Sequence, residues 1–172
     1  KWIKSIVKVQ VLETEVAGEL EPMIHQDKLG PDYLDNKEEL KAAGFDTIEK
    51  IEKTLHEKME TLVDYEVSED NTTILEIELV YEGTGEPVAK EDFPEEGLDI
   101  YIDYAKIFGD KKVDYNKYSY KVVHMFSMDM NGHKAGELEE LDAKVTNKGL
   151  KVHVEGLSPF AISYESIEGG ST

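Results

Sequence analysis

The histidines are the first residues of this sequence whose type and spacing could support chemistry. His124 and His153 each interrupt an otherwise apolar alternation, which is the pattern of a strand, and His133 follows a Met-Asn-Gly turn. Three neutral imidazoles that meet across strands could bind zinc. The simpler interpretation, which we favour, places each histidine at the edge of the core with its hydrogen bonds satisfied.

Carboxylates are the second group, and they dominate the composition. The chain has 38 Asp and Glu residues against 19 basic residues, all of them Lys, and its formal net charge is −19. Four carboxylates in one proline-containing loop could offer oxygens to calcium: Glu91, Asp92, Glu95 and Glu96. The loop does not match the EF-hand pattern. A solvated acidic surface is therefore the default interpretation, calcium is the alternative, and no other cofactor is expected.

Tyrosines form the third group. Five of them fall within twenty residues, at positions 101, 104, 115, 118 and 120. Exposed tyrosines can stack on sugar rings or anchor a protein interface, which makes Tyr101, Tyr104, Tyr115 and Tyr118 candidate ligand-binding residues. Tyrosine is also a common residue on a pleated, half-buried surface. We favour that structural role and keep ligand binding as the alternative.

No pattern in the sequence indicates catalysis. The chain has neither a P-loop nor the G-x-G-x-x-G, H-E-x-x-H or G-x-S-x-G patterns, and without Cys it has no thiolate nucleophile. We expect that the protein is not an enzyme, with a hydrolase as the alternative of lowest weight. The acidity argues against partners such as nucleic acid, and the apolar runs are too short for membrane insertion.

The elements that must position these residues are helices near the N-terminal side and strands elsewhere. A long helix is predicted from Asp46 to about Leu62, capped by Asp46, and its apolar stripe is expected to pack on a sheet. A shorter helix is predicted over 36–43, with Asp35 as its N-cap and Gly44 as its stop, so the helical segment spans 36–62.

Alternating apolar residues predict the strands, which are separated by polar turns. The predicted strands are 2–12, 63–67, 72–82, 98–104, 118–128, 138–146, 150–154 and 160–164. The last is expected to start at Pro159 and to insert Phe160 between two sheets, near Val152 or Val154. The fold class is therefore expected to be mostly β with a helical insertion, an antiparallel β-sandwich with one long and one short helix. Residues 1–166 form one domain, and 167–172 are a linker or tail.

The last third of the chain resembles a known family. The segments Tyr120–Phe126, Asp129–Glu137 and Gly149–Val154, followed by Gly156-Leu157-Ser158-Pro159-Phe160-Ala161-Ile162-Ser163, are similar to the end of Ig-like modules. Such modules occur in secreted or cell-wall-anchored surface proteins of Gram-positive, often gut-dwelling, bacteria. The resemblance extends more weakly upstream and covers about residues 40–165. Ile102-Asp103-Tyr104-Ala105 departs from the L-P-Y-P segment that relatives commonly carry.

The resemblance implies an extracellular setting at the cell surface or cell wall, and it brings no catalytic residues. It implies a spacer or adhesion unit of a larger bacterial protein, whose partners are neighbouring domains of that chain. A module that binds a carbohydrate or a host protein through tyrosines and acidic loops is the alternative. No signal peptide is recognisable, and we interpret the sequence as an excerpt of a longer protein or a processed form.

Overall fold

The computed structural model describes residues 22–27, 29–81 and 86–167, and the strand predicted at 2–12 lies outside them. Most described elements are strands, as the alternating pattern predicts. In chain order the elements are β1 (Pro22–Asp27), α1 (Glu38–Ala42), α2 (Ile48–Glu60), β2 (Thr72–Tyr81), β3 (Leu98–Ile102), α3 (Tyr104–Phe108), β4 (Tyr118–Met125), β5 (Leu138–Leu141), β6 (Ala143–Thr146), β7 (Gly149–Val154) and β8 (Phe160–Ser166).

Two antiparallel sheets are built from these strands. One has the order β1-β2-β8-β4-β5 and the other the order β3-β7-β6. A mostly β, sandwich-like arrangement is thus confirmed. The chain passes from the first sheet to the second at Asp142, where the sequence predicted one continuous strand over 138–146. Leu141 pairs with β4, whereas Ala143 pairs with β7, so this prediction was wrong.

The space between the two sheets holds the larger apolar core. It takes alternate residues of β2, β3, β7 and β8, which are Leu75, Ile77, Leu79, Leu98, Ile100, Ile102, Leu150, Val152, Val154, Phe160, Ile162 and Tyr164. Phe160 is fully buried in the same cluster as Val152 and Val154, as the sequence predicts. β8 itself begins at Phe160, one residue after the predicted start at Pro159, because proline has no N–H to donate to the ladder.

A second core lies on the outer face of the larger sheet, where α2 packs. Ile51, Leu55 and Met59 of α2 are fully buried and contact the side of the sheet that carries Val123 and Ala161. This spacing of three and four residues puts the apolar side chains on one face of a helix. The fold therefore has a layer of helix, then the larger sheet, then the smaller sheet. None of the described helices has the length and apolar character that a bilayer span requires.

The helix ends differ from the sequence predictions. Thr47, not Asp46, is the N-cap of α2, and its side chain accepts a hydrogen bond of 3.1 Å from the Lys50 N–H. Asp46 instead binds the Lys50 ammonium at 2.7 Å. The N-cap of α1 is Lys37 rather than Asp35, and no side-chain hydrogen bond caps that helix. A residue with extended backbone directly before the first helical turn serves as the cap, and Thr47 has that conformation.

Three other segments depart from the sequence predictions. Residues 63–67 form no strand. The Glu66 carbonyl accepts a 2.8 Å hydrogen bond from the Asn71 side-chain amide instead of from a neighbouring strand, and the hydroxyls of Tyr65 and Ser163 lie 2.6 Å apart. β1 lies outside all the strands predicted from the alternating pattern, and it pairs with β2. The strand predicted over 98–104 ends at Ile102, since Asp103 caps α3 through its carboxylate and the Ala105 N–H.

Candidate functional site

The candidate tyrosines lie in contacts within the protein. The rings of Tyr104 and Tyr115 stack on each other, with centroids 4.0 Å apart and an interplanar angle of 5°. The Tyr104 hydroxyl donates to the Thr146 carbonyl at 2.8 Å and accepts from the Thr146 N–H at 3.1 Å. Burial raises the pKa of Tyr104. This side chain therefore ties α3 to the β6–β7 turn.

The other two candidate tyrosines are similarly engaged. Tyr101 is only 6% exposed, and the Tyr118 ring contacts those of Phe108 and Tyr164 at centroid distances of 5.1 and 5.6 Å. Aromatic pairs at these distances stabilise a fold beyond the area that they bury. The geometry favours the structural role of all four tyrosines over an exposed stacking platform.

The four candidate calcium ligands lie at the surface before β3. Glu91 and Asp92 belong to a single 3-10 turn over Lys90–Asp92, and Glu95 and Glu96 follow in the next turn. Glu91, Glu95 and Glu96 are exposed. Within the described part of the chain, the three metal-ligating side chains that come together are others, namely His133, Glu139 and Glu155. Calcium binding at the acidic turn stays the untested alternative to a solvated acidic surface.

Added salt is expected to stabilise the protein, because a net charge of −19 repels itself across distances that salt screens. We expect the melting temperature to rise by roughly 2–4 °C in about 0.5 M NaCl, which corresponds to about 1 kcal/mol. An unchanged or lower melting temperature would mean that local pairs such as Lys121–Glu140, at 3.1 Å, already neutralise the acidic faces. A rise in millimolar Ca²⁺ well beyond that in Mg²⁺ at equal ionic strength would support the calcium prediction.

The strand and loop histidines do not meet at one zinc site; each has its own carboxylate. His153 lies on β7 and binds Asp99 of β3 through Nδ1 at 2.8 Å, while its Nε2 lies 2.8 Å from the Glu96 carbonyl oxygen. His124 is fully buried on β4, and its Nδ1 lies 3.0 Å from Glu139 Oε1. The interpretation of histidines with satisfied hydrogen bonds thus fits His153. His124 differs, since its Nε2 has no hydrogen-bond partner among the described residues.

The pair of His153 and Asp99 predicts a pH dependence. The Asp99 carboxylate raises the pKa of His153 above its ordinary value, so the folded state binds this proton more tightly than the unfolded state. The pair therefore contributes its full stability below about pH 6.5, and this contribution is lost as pH rises through the raised pKa. An exposed ion pair is worth about 0.2–1 kcal/mol. His153→Gln should lose that amount at pH 5.5 and much less at pH 9 in urea unfolding; an equal loss at both would refute the assignment.

The loop between β4 and β5 presents the third histidine. Its hairpin closes with mutual backbone hydrogen bonds of 3.0 and 2.8 Å between Met130 and His133. Asn131 and Gly132 form its tip with positive φ of 48° and 83°, a conformation that asparagine and glycine tolerate. Asp129 accepts a 2.8 Å hydrogen bond from the Ala135 N–H. The loop is therefore held by its own backbone and by a carboxylate cap.

The imidazole of His133 bridges two carboxylates. Its Nδ1 contacts Glu137, and its Nε2 lies 2.8 Å from Glu155 Oε1, just after β7. Its ring also stacks on Phe126, with centroids 4.1 Å apart and an angle of 14°. The hydrogen bonds to Glu137 and then Glu155 raise the pKa of His133, and the pKa of Glu137 is lowered in turn. With Glu139 within 4.8 Å, the cluster can hold either a proton or a cation.

Sequence reasoning named His133 but missed its partners. Nothing in the sequence distinguishes these partners, Glu137, Glu139 and Glu155, from the rest of the 38 acidic residues. Glu155 comes close to His133 only because the chain folds back through a hairpin. The spacing of four residues between His133 and Glu137 was a local signal that could have been used.

Comparison with known proteins finds no relative of this chain. The sequence matches no protein-family model, and no curated protein or solved structure is significantly similar to it. The resemblance to Ig-like surface modules therefore stays a prediction from the motifs themselves.

Proposed function

We propose that this chain is a non-catalytic, Ig-like module of an extracellular surface protein, in which it acts as a spacer or adhesion unit. The motifs near the C-terminus support the family and the cell-surface setting. The antiparallel two-sheet architecture supports the fold class. The tyrosines and histidines that could form a binding site are largely engaged in contacts within the domain. This arrangement supports a structural role for the domain. Its partners are neighbouring domains of the same chain.

The observation that carries the proposal is where the first and last described strands begin and end. β1 and β8 both pair antiparallel with β2, so they run parallel to each other on either side of it. Pro22 at the start of β1 lies beside Tyr81, at one end of β2. Ser163 of β8 lies beside Thr72, at the other end of β2, and Ser166 extends beyond it. Within the described residues, β1 therefore begins and β8 ends at opposite ends of β2.

This geometry suits a module in a linear array. A pull applied at Pro22 and Ser166 would slide β1 and β8 in opposite directions along β2. The ladder hydrogen bonds lie perpendicular to the strands, so such a pull loads many of them at once instead of opening them singly. A spacer between a cell and its surroundings needs this resistance.

The cell-surface setting is tested on intact cells that express the full-length parent protein. An antibody raised against residues 22–167 should label these cells, and mild protease treatment should remove the label. A cytoplasmic protein that stays protected serves as the control for cell integrity. Labelling that appears only after lysis would contradict the proposal.

A ligand-binding module is the second candidate, and a cleft beside α2 favours it. The cleft has a volume of about 830 Å³ and lies between α2, β2 and α3, with Lys53, His56, Phe108, Lys111 and Tyr164 among its lining residues. A spacer should bind nothing on arrays of carbohydrates and host extracellular proteins. Saturable binding that Lys111→Glu abolishes and Lys144→Glu leaves intact would favour the ligand-binding module.

A further inference from the structure

The strongest unassigned feature is the cluster around His133, because its members come from three separate segments. His133 lies in the β4–β5 loop, Glu139 on β5, and Glu155 directly after β7. One ligand atom from each of the three lies within 4.8 Å of the other two. We propose that His133, Glu139 and Glu155 bind a divalent transition-metal ion of the zinc type. The inference stands apart from the spacer function and does not depend on it.

Contacts outside the cluster orient the side chains of His133 and Glu139 and hold the backbone of Glu155. Glu137 contacts Nδ1 of His133, which leaves Nε2 on the side of Glu155. A carboxylate behind a metal-ligating imidazole is the usual way in which proteins fix the tautomer and ring orientation. The ring of His133 is held further by its stack on Phe126. The histidine therefore has the orientation of a ligand before any ion binds.

The two carboxylate ligands have their own supports. Glu139 faces Nδ1 of the fully buried His124 at 3.0 Å. Because a carboxylate accepts hydrogen bonds, Nδ1 of His124 is the donor to Glu139. Nε2 of His124 has no hydrogen-bond partner in the described part of the chain. Asn131 donates to the Glu155 backbone carbonyl at 2.9 Å, which fixes that residue against the loop. A buried imidazole thus positions the Glu139 carboxylate, and a loop amide fixes the backbone of Glu155.

The donor set selects the class of metal. One imidazole nitrogen and two carboxylates suit zinc and neighbouring transition metals, whereas calcium and magnesium prefer oxygen ligands alone. The ion would replace the proton between Nε2 and Glu155. It would then connect the β4–β5 loop and β5 of the larger sheet to the end of β7 in the smaller sheet. The expected effect is a brace between the two sheets.

Titration of the full chain with ZnCl₂ in a calorimeter, in parallel with thermal melting, tests the proposal. We expect one saturable zinc site, and a melting temperature in ZnCl₂ that exceeds the melting temperature in CaCl₂ at equal ionic strength. His133→Gln should abolish the site, and Glu137→Gln should weaken it by about 10–100-fold, as loss of an outer-shell partner does. His153→Gln is the matched control, because it removes a histidine that also pairs with a carboxylate but belongs to no such cluster.

X-ray absorption at the zinc edge of the unmutated protein gives a readout that does not depend on any variant folding. One imidazole among oxygen ligands is expected. Absence of saturable zinc binding would overturn the proposal. The cluster would then be a set of hydrogen bonds between the His133 imidazole and its carboxylate neighbours. Binding that survives in a folded His133→Gln, or that His153→Gln removes equally, would overturn it as well. Glu155→Gln repeats the test if His133→Gln does not fold.

Discussion

Removal of the residues after Gly156 is expected to abolish cooperative unfolding. This truncation deletes β8, which lies between β2 and β4 in the larger sheet and is hydrogen-bonded to both. Phe160 and Ile162 of β8 belong to the core between the sheets, and Ala161 belongs to the core under α2. Loss of one strand therefore opens both cores and leaves two new sheet edges. Urea unfolding followed by circular dichroism measures the result.

A shorter deletion is the control for this truncation. Removal of residues 168–172 alone should leave the melting curve unchanged, as expected for a linker or tail. If the protein that ends at Gly156 melts as sharply and at as high a temperature as the parent, β8 does not close the fold. The sandwich assignment of the described strands would then be wrong.

Leu55→Ala is expected to lower the free energy of unfolding by about 2–5 kcal/mol, the usual cost of a buried leucine-to-alanine change. Leu55 is fully buried between Ile51 and Met59 on the face of α2 that packs on the sheet. The cost combines the lost transfer energy of the side chain with the cavity that it leaves. Urea unfolding of the variant and the parent gives the difference.

The matched control lies on the opposite face of the same helix. Glu57 is exposed on α2, and Glu57→Ala should change the free energy of unfolding by less than about 0.5 kcal/mol. A loss below that value for Leu55→Ala would show that the helix is peripheral to the fold. It would also mean that α2 does not cover the outer face of the larger sheet.

Much of the fold could be predicted from the period of the apolar residues. Alternation located β2, β4, β7 and β8 within a few residues, since one face of each strand is buried. The turn after β6 lies at Asn147-Lys148-Gly149, between two predicted strands, and Gly149 has a φ of 147°. A stripe at intervals of three and four residues located α2. These signals are local, which is why a single sequence carries them.

The parts that could not be predicted depend on distant contacts. Nothing local distinguishes Leu141 from Ala143, yet Asp142 is where the chain changes sheets, because the two residues pair with different strands. The tyrosines have the same sequence pattern whether their rings are exposed or stacked on each other. Only the return of the chain through α3 brings Tyr104 onto Tyr115. The grouping of His133 with Glu155 likewise needs the β6–β7 hairpin to place one beside the other.

Single-molecule pulling through residues 22 and 167 tests most directly the proposal that this chain is a structural module that resists tension. The applied force should shear β1 and β8 along β2, and the strands should resist this force together. The whole domain should therefore unfold in one event. The contour length should then grow by about 50 nm, at roughly 3.6 Å per residue. Stepwise extension in several small increments without a force peak would contradict the claim.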